Sequence, residues 1–115
     1  MFVSHVDNVK KVPMDMPGAE KVVKQVLIGA NEGWDNHVMR LFTVEKNGHT
    51  PRHTHPYPHI NFVVSGSGIL HVNGKDYEIR QGSIAYVPSN VIHQYTNSSD
   101  DDLVIICIVP KEGEK

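Results

Sequence analysis

The segment GSGILHVNGKDYEIRQG, residues 66–82, decides the fold class, because it contains the clearest β-hairpin signal in the chain. Asn73 and Gly74 separate two short β-prone runs, Ile69–Val72 and Lys75–Ile79. Asn-Gly is the preferred pair for a two-residue hairpin turn, since both central residues must accept a positive φ. The segment therefore predicts two antiparallel strands and sets the pattern for the rest of the chain.

Further short strands flank this hairpin on both sides, and no stretch shows the 3.6-residue period of an amphipathic helix. The predicted strands are Val22–Ile28, Val38–Glu45, Ile60–Ser65, Ile69–Val72, Asp76–Arg80, Ser83–Val87, His93–Asn97 and Leu103–Val109. Turn residues separate them at Asn47–Gly48, Gln81–Gly82 and Pro88–Ser89–Asn90. This pattern predicts one all-β domain, a sandwich or barrel over residues 21–115, preceded by an extended arm at residues 1–20.

The last predicted strand, Leu103–Val109, is apolar at every position. A strand of this kind is covered on both of its faces. We expect one face to meet the barrel interior, and the other a second sheet, the N-terminal arm or another subunit. The simplest arrangement is a homodimer.

Composition and charge exclude several classes of function. The chain has 11 Lys and Arg against 13 Asp and Glu, and its longest basic block is Lys10–Lys11, so we expect no nucleic-acid surface. The single cysteine, Cys107, excludes an intrachain disulfide. Neither a signal-peptide pattern nor an apolar run of roughly 20 residues is found. We expect a cytoplasmic protein that acts on a small molecule, without a membrane partner.

Histidine is the unusual component, with eight in 115 residues and four of them within eleven consecutive positions. His53 and His55, at i and i+2 on a strand, would share one face within reach of one metal ion. His59 has the same parity, and an arch at Pro56–Pro58 would bring it to the same point. His93 is the candidate fourth ligand, from a distant strand.

Two other interpretations of these histidines stay open. The four side chains could form a surface cluster, or they could remain from a metal site in a protein that now binds its ligand alone. His49 forms a His-x3-His pair with His53, which would bind a metal on a helix, but no helix is predicted there. We assign no ligand role to the histidines outside the set of four.

These residues match the two motifs of the cupins, and the chain resembles a single-domain member of that family. The first motif corresponds to Gly48, His53, His55, His59 and Gly66, and the second to Gly82, Pro88, His93 and Asn97. Together the motifs span about half of the chain, residues 48–97. The resemblance implies a jelly-roll β-barrel with a metal site at the four histidines.

Two positions depart from the family pattern. His59 stands where cupins usually have glutamate, and Asn90 where they usually have glycine. Asparagine tolerates a positive φ, so the turn is kept. The chain more narrowly resembles the small four-histidine manganese cupins of thermophilic bacteria, at Met39–Glu45 and Cys107–Gly113. That resemblance implies manganese, a dimeric barrel and the cleavage of electron-rich alkenes with peroxide.

Four neutral imidazoles would leave the 2+ charge of a metal ion uncompensated and two octahedral positions open for water, oxygen, peroxide or a bidentate substrate. The resemblance favours manganese, but iron, nickel, copper and zinc suit these ligands equally, and manganese binds most weakly of the first-row divalent metals. Such a site favours anions, including an enolate, a carboxylate or hydroperoxide.

Three other residues are candidates for the pocket. Tyr57 either lines its mouth or packs against the rim. Cys107 is either core packing or, as the resemblance implies, a neighbour of the metal that is open to oxidation. Arg40 either points inward as an anion anchor or forms a structural ion pair at the barrel edge. A cavity lined by Phe42, Ile60, Phe62, Ile105 or Cys107 would suit an apolar substrate, and an inward Arg40 would suit a carboxylate.

The leading hypothesis is a metal-dependent oxidoreductase, a dioxygenase or a peroxide-using enzyme, for a small unsaturated or enolisable substrate. One alternative is a small-molecule-binding protein in which the metal anchors a ligand. Another is an isomerase or decarboxylase in which the metal acts as a Lewis acid without redox chemistry. The fold cannot choose among them, because one fold serves many reactions.

Overall fold

The computed structural model describes residues 1–114 and shows an all-β domain, as predicted. The strands are β1 Val12–Pro13, β2 Glu20–Ile28, β3 His37–His49, β4 His59–Ser65, β5 Ser67–Val72, β6 Lys75–Arg80, β7 Ile84–Val87, β8 His93–Thr96 and β9 Leu103–Pro110. Short 3₁₀ helices, which the sequence did not predict, occur at Val6–Asn8, Ala30–Glu32 and Lys111–Gly113. No helix within residues 1–114 is long and apolar enough to cross a membrane.

The strands pair antiparallel in one sheet that curls into the predicted jelly-roll barrel. The main order is β6-β5-β8-β3-β9-β4-β7, and β2 pairs with both β1 and β3. Strand β3 is central because it pairs with β2, β8 and β9. This curvature brings the starts of β4 and β8, which are far apart in sequence, to the same side of the barrel interior.

The hairpin prediction at residues 66–82 is confirmed. Val72 pairs with Lys75, and the two turn residues, Asn73 and Gly74, have φ values of 50° and 80°. Asn90 also adopts a positive φ, 64°, in the turn before β8.

The turn predicted at Asn47–Gly48 is wrong, because β3 runs through both residues. Asn47 has a φ of 67°, and the register between β2 and β3 shifts between Glu20 and Val22. These features describe a β-bulge, which uses the same residue types as a turn because it needs the same backbone conformation. A Cβ at Gly48 would lie 2.7 Å from the carbonyl oxygen of Glu20, so the bulge also needs glycine.

The N-terminal arm lies against β2. Strand β1 pairs with β2, and the buried Gln25 donates its Nε2 hydrogens to the carbonyl oxygens of Val6 and Val9, both at 2.9 Å. Met14 packs against the hydrophobic core. The arm therefore closes one side of the barrel.

Strand β9 alternates between a buried and a half-buried face. Its inward residues, Leu103, Ile105, Cys107 and Val109, lie in the core. The outward residues of β9 continue across β4 and β7 in an apolar face that includes Ile60, Phe62, Ile84 and Tyr86. Patches of this kind on a folded domain mark interaction sites.

The homodimer stays a prediction, and this apolar face is where we expect the second copy. Two copies of one apolar face are self-complementary about a two-fold axis. Light scattering should give the mass of a dimer for the unaltered protein and of a monomer for Ile84→Lys, since Ile84 is 80% exposed. Tyr77→Lys, an exposed position on β6, is the control and should remain dimeric. A monomeric unaltered protein would contradict the prediction.

Candidate metal centre

The structure brings the four predicted histidines together at one end of the barrel interior. His59 and His93 begin β4 and β8, and both are buried. His53 and His55 lie in the loop before β4 and not in the strand geometry that the i, i+2 argument assumed, because the surrounding prolines cannot donate backbone hydrogen bonds. A single bridge pairs His53 with His93 through backbone hydrogen bonds of 3.1 and 3.2 Å. Neighbouring imidazole centroids lie 4.7 to 5.2 Å apart.

Three of the imidazoles are held in one orientation by a hydrogen bond at Nδ1. His55 contacts the carbonyl oxygen of Tyr57 at 2.8 Å, and His93 contacts that of Val91 at 2.9 Å. His59 contacts the side-chain oxygen of Asn61 at 2.6 Å. Each acceptor requires the proton on Nδ1, so Nε2 carries the free lone pair.

The nitrogen positions fit a metal ion. One ligand nitrogen each from His53, His55 and His93 lies within 4.8 Å of the others, and Nε2 of His59 lies 3.1 Å from Nε2 of His93. The last two nitrogens are both acceptors and cannot hydrogen-bond to each other. Two imidazole nitrogens bound about 2.1 Å from one metal, at right angles, would lie about 3 Å apart. At least three of the histidines can therefore hold a metal, and their imidazoles suit transition metals.

Burial lowers the pKa of every histidine in the cluster. Burial lowers the pKa of His59 to about 3, and the nearby His93 contributes to this shift. Burial also lowers the pKa of His93 to about 4, with contributions from His55 and His53. The pKa values of His53 and His55 are lowered in the same direction, chiefly by burial. The four rings are neutral at neutral pH, which is the form that binds metals.

A cavity of about 800 Å³ opens beside the histidines. Its wall includes all four histidines together with Arg40, Phe42, Tyr57, Tyr95, Ile105, Cys107 and part of the N-terminal arm. Ile60 and Phe62, suggested from sequence as wall residues, point outward and are 55% and 44% exposed. Their position follows from strand alternation, because His59 at the start of the same strand points inward.

The three predicted pocket residues all line this cavity. Tyr57 stacks on His55 with a centroid distance of 4.2 Å, and a Cβ at Gly113 would lie 2.7 Å from its ring. Cys107 is buried, and its Sγ accepts a hydrogen bond from Nη2 of Arg40 at 3.0 Å. Arg40 also lies 3.4 Å from Glu114, so it combines the inward position with an ion pair.

Two residues of the site were not identified from the sequence. Asn61 orients His59, and its own Nδ2 donates to the carbonyl oxygen of Ile106 at 3.4 Å. The signal that could have identified Asn61 is its polar side chain at an inward-facing position of β4. Tyr95 lies in the core, and its hydroxyl has no hydrogen-bond partner within residues 1–114. Burial and the neighbouring Cys107 raise its pKa above the ordinary value, so the hydroxyl keeps its proton.

The chain is similar to several known proteins. It is 38% identical over 61 residues to acireductone dioxygenase from Bacillus cytotoxicus, a match that covers 49% of this chain and 36% of that protein. Among solved structures, the polyketide cyclase RemF from Streptomyces resistomycificus superposes with a TM-score of 0.90 and 28% identity, over 96% of this chain and 79% of that one. A predicted oxalate decarboxylase from Thermotoga maritima superposes with a TM-score of 0.85 and 19% identity, over 95% of this chain and 98% of that one. At this identity the likeness supports the fold alone.

The match to a family model covers more of the chain than the two motifs alone. The model for the cupin domain matches residues 40–109, from the first third of β3 to the penultimate residue of β9. This range contains all four histidines and the strands that position them. The chain therefore belongs to the cupin family.

Proposed function

We propose that the protein is a metal-dependent oxidoreductase of the dioxygenase type, which binds a small enolisable substrate at a centre formed by His53, His55, His59 and His93. The observation that carries the proposal is the orientation of the imidazoles. Three of them have Nδ1 committed to a hydrogen bond, and the cluster faces a cavity large enough for a small molecule. Side chains oriented in this way form a preorganised metal site.

The ligand set determines which substrates fit. A bound divalent metal would supply Lewis acidity toward an oxygen anion and, if redox-active, electron transfer to dioxygen. The imidazoles of His55, His59 and His93 supply no base, because their Nδ1 protons are engaged and their Nε2 atoms would be the ligands. A substrate that ionises readily by itself, such as an enediol or a β-dicarbonyl, therefore suits this centre.

The chain's own residues position the substrate and limit water. Phe42 and Ile105 supply apolar wall, and Tyr57 covers one side of His55. Cys107 lies in the same wall as a buried thiol. Manganese is proposed as the native metal on the resemblance to the four-histidine cupins; iron, nickel, copper and zinc are the alternatives.

The similarity to acireductone dioxygenase supports this proposal, because an acireductone is an enediol and the named reaction uses dioxygen. The likeness to a polyketide cyclase supports a second candidate function. In that case the metal would be a Lewis acid for a reaction of an enolate without oxidation. A protein that binds such ligands without converting them is the third possibility.

The experiment compares metals on the same protein. Metal-free protein is loaded with manganese, iron or zinc and incubated with an enediol, while an oxygen electrode records dioxygen consumption. We expect consumption with manganese or iron and none with zinc. His49→Ala, a half-buried histidine outside the cluster, is the control variant and should retain the activity. Conversion of an enolisable substrate with zinc and without dioxygen would favour the second candidate and contradict the first.

A further inference from the structure

A second polar cluster lines the same cavity as the histidines. Its arginine, Arg40, is near enough to contribute to the lowered pKa values of His53, His55 and His59. Arg40 on β3 pairs in register with Cys107 on β9, so their side chains point to the same side of the sheet. Tyr95 on β8 belongs to the same core cluster as Cys107 and lines the same cavity. The cluster therefore places one guanidinium and one phenol beside a buried thiol.

The guanidinium of Arg40 is incompletely paired. Nη2 donates to Sγ of Cys107, a weak acceptor, at 3.0 Å. The contacts from Nη1 to Glu114 and to the carbonyl oxygen of Gly113 are both long, 3.4 Å, and Nε has no partner within residues 1–114. The other oxygen of Glu114 lies 2.7 Å from Nζ of Lys24, which is its closer cation. A buried donor without an acceptor is costly, and an arginine normally satisfies its fork with a carboxylate.

The hydroxyl of Tyr95 is the second unsatisfied donor. The residue is 6% exposed, and the hydroxyl has no partner in the described part of the chain. Buried tyrosines ordinarily place this group on an acceptor. Two unsatisfied donors on one cavity wall indicate that the missing acceptor belongs to a ligand.

We propose that Arg40 and Tyr95 form a carboxylate subsite, and that the substrate is a small carboxylic acid with an apolar body. Arg40 offers its unpaired Nε and its weakly bonded Nη groups to the two carboxylate oxygens, and Tyr95 donates its hydroxyl hydrogen to one of them. Phe42 and Ile105 pair with each other, each two residues along its strand from Arg40 or Cys107, and they contact the apolar body of the substrate. The carboxylate end of the substrate is inferred from Arg40 and Tyr95 and does not depend on the function proposed above. Only the enolisable nature of the opposite end rests on that function.

The test uses metal-free protein, so that it does not depend on the metal centre. Calorimetric titration compares cinnamate with cinnamamide, which have the same apolar body but differ in charge. The unaltered protein should bind cinnamate roughly tenfold more tightly or better, the ratio expected for a hydrogen bond to a charged group. Arg40→Met should remove this preference, whereas Arg80→Met, an exposed arginine on β6, changes the net charge equally and should retain it.

The Tyr95→Phe variant is an independent test of the carboxylate subsite. It should weaken cinnamate binding severalfold without lowering the melting temperature, because the hydroxyl makes no hydrogen bond in the protein itself. A lowered melting temperature with unchanged cinnamate affinity would indicate a structural role and contradict the proposal.

Equal binding of cinnamate and cinnamamide by the unaltered protein, or no binding of cinnamate, would overturn the subsite even if Arg40→Met failed to fold. A protein that binds cinnamate but no transition metal would retain the subsite and overturn the proposed function.

Discussion

Replacing His93 with alanine should abolish stable metal binding. His93 is the central member of the cluster, since its ring lies within 5.0 Å of the ring centroids of the other three histidines and its Nε2 is 3.1 Å from that of His59. Loss of residues that merely orient ligands already lowers metal affinity by about 10- to 100-fold, so loss of a ligand should exceed about 100-fold. Elemental analysis after dialysis measures the metal that remains on each chain.

Two further variants sharpen this result. His59→Ala tests whether the fourth histidine is a ligand and should lower metal affinity comparably. His49→Ala removes a histidine that contacts Thr50 and Gln94 outside the cluster, and it should leave metal binding unchanged. Metal content that falls equally in all three variants would show that binding is not specific to the centre. Undiminished metal in His93→Ala would contradict the assignment of His93.

The Gly66→Ala variant should be strongly destabilised. Gly66 has a φ of 84°, and an added Cβ would overlap the carbonyl oxygen of Asp102 just before β9. Positive φ and a backbone clash act together here, so we expect a loss of about 3 kcal/mol or more in the free energy of unfolding. Chemical denaturation followed by circular dichroism measures it.

Gly74→Ala is the matched control for Gly66→Ala. Gly74 has a nearly identical φ, 80°, but a Cβ there would meet nothing within 4 Å. The cost should therefore fall to about 1 kcal/mol, the strain of the backbone conformation alone. Equal losses in the free energy of unfolding of the two variants would contradict the role assigned to close packing between Gly66 and the start of β9.

Local signals were enough to predict the strands from β2 to β9, whereas β1 lies in the segment that the sequence assigned to an extended arm. Asn73–Gly74 identifies a hairpin because its conformation depends on two adjacent residues. Asn47–Gly48 misled because a bulge and a turn demand the same backbone angles, and the pairing of β2 with β3 decides between them. That pairing is non-local, so the two residues alone could not reveal it.

The candidate site was predictable in its residues but less so in its geometry. The four histidines were found from spacing and motif, yet the loop position of His53 and His55 depends on prolines and on the bridge to His93. The inward Asn61 follows from the parity of His59 and was available from the sequence. The unsatisfied hydroxyl of Tyr95 was not, because it depends on everything that surrounds it in the folded barrel.

The most direct measurement is a crystal structure of the manganese-loaded protein, with anomalous diffraction recorded at the manganese absorption edge. We predict a single strong anomalous peak within bonding distance of a ring nitrogen from each of His53, His55, His59 and His93. A peak elsewhere on the protein, a metal without His59 among its ligands, or no peak at these histidines would contradict the four-histidine centre.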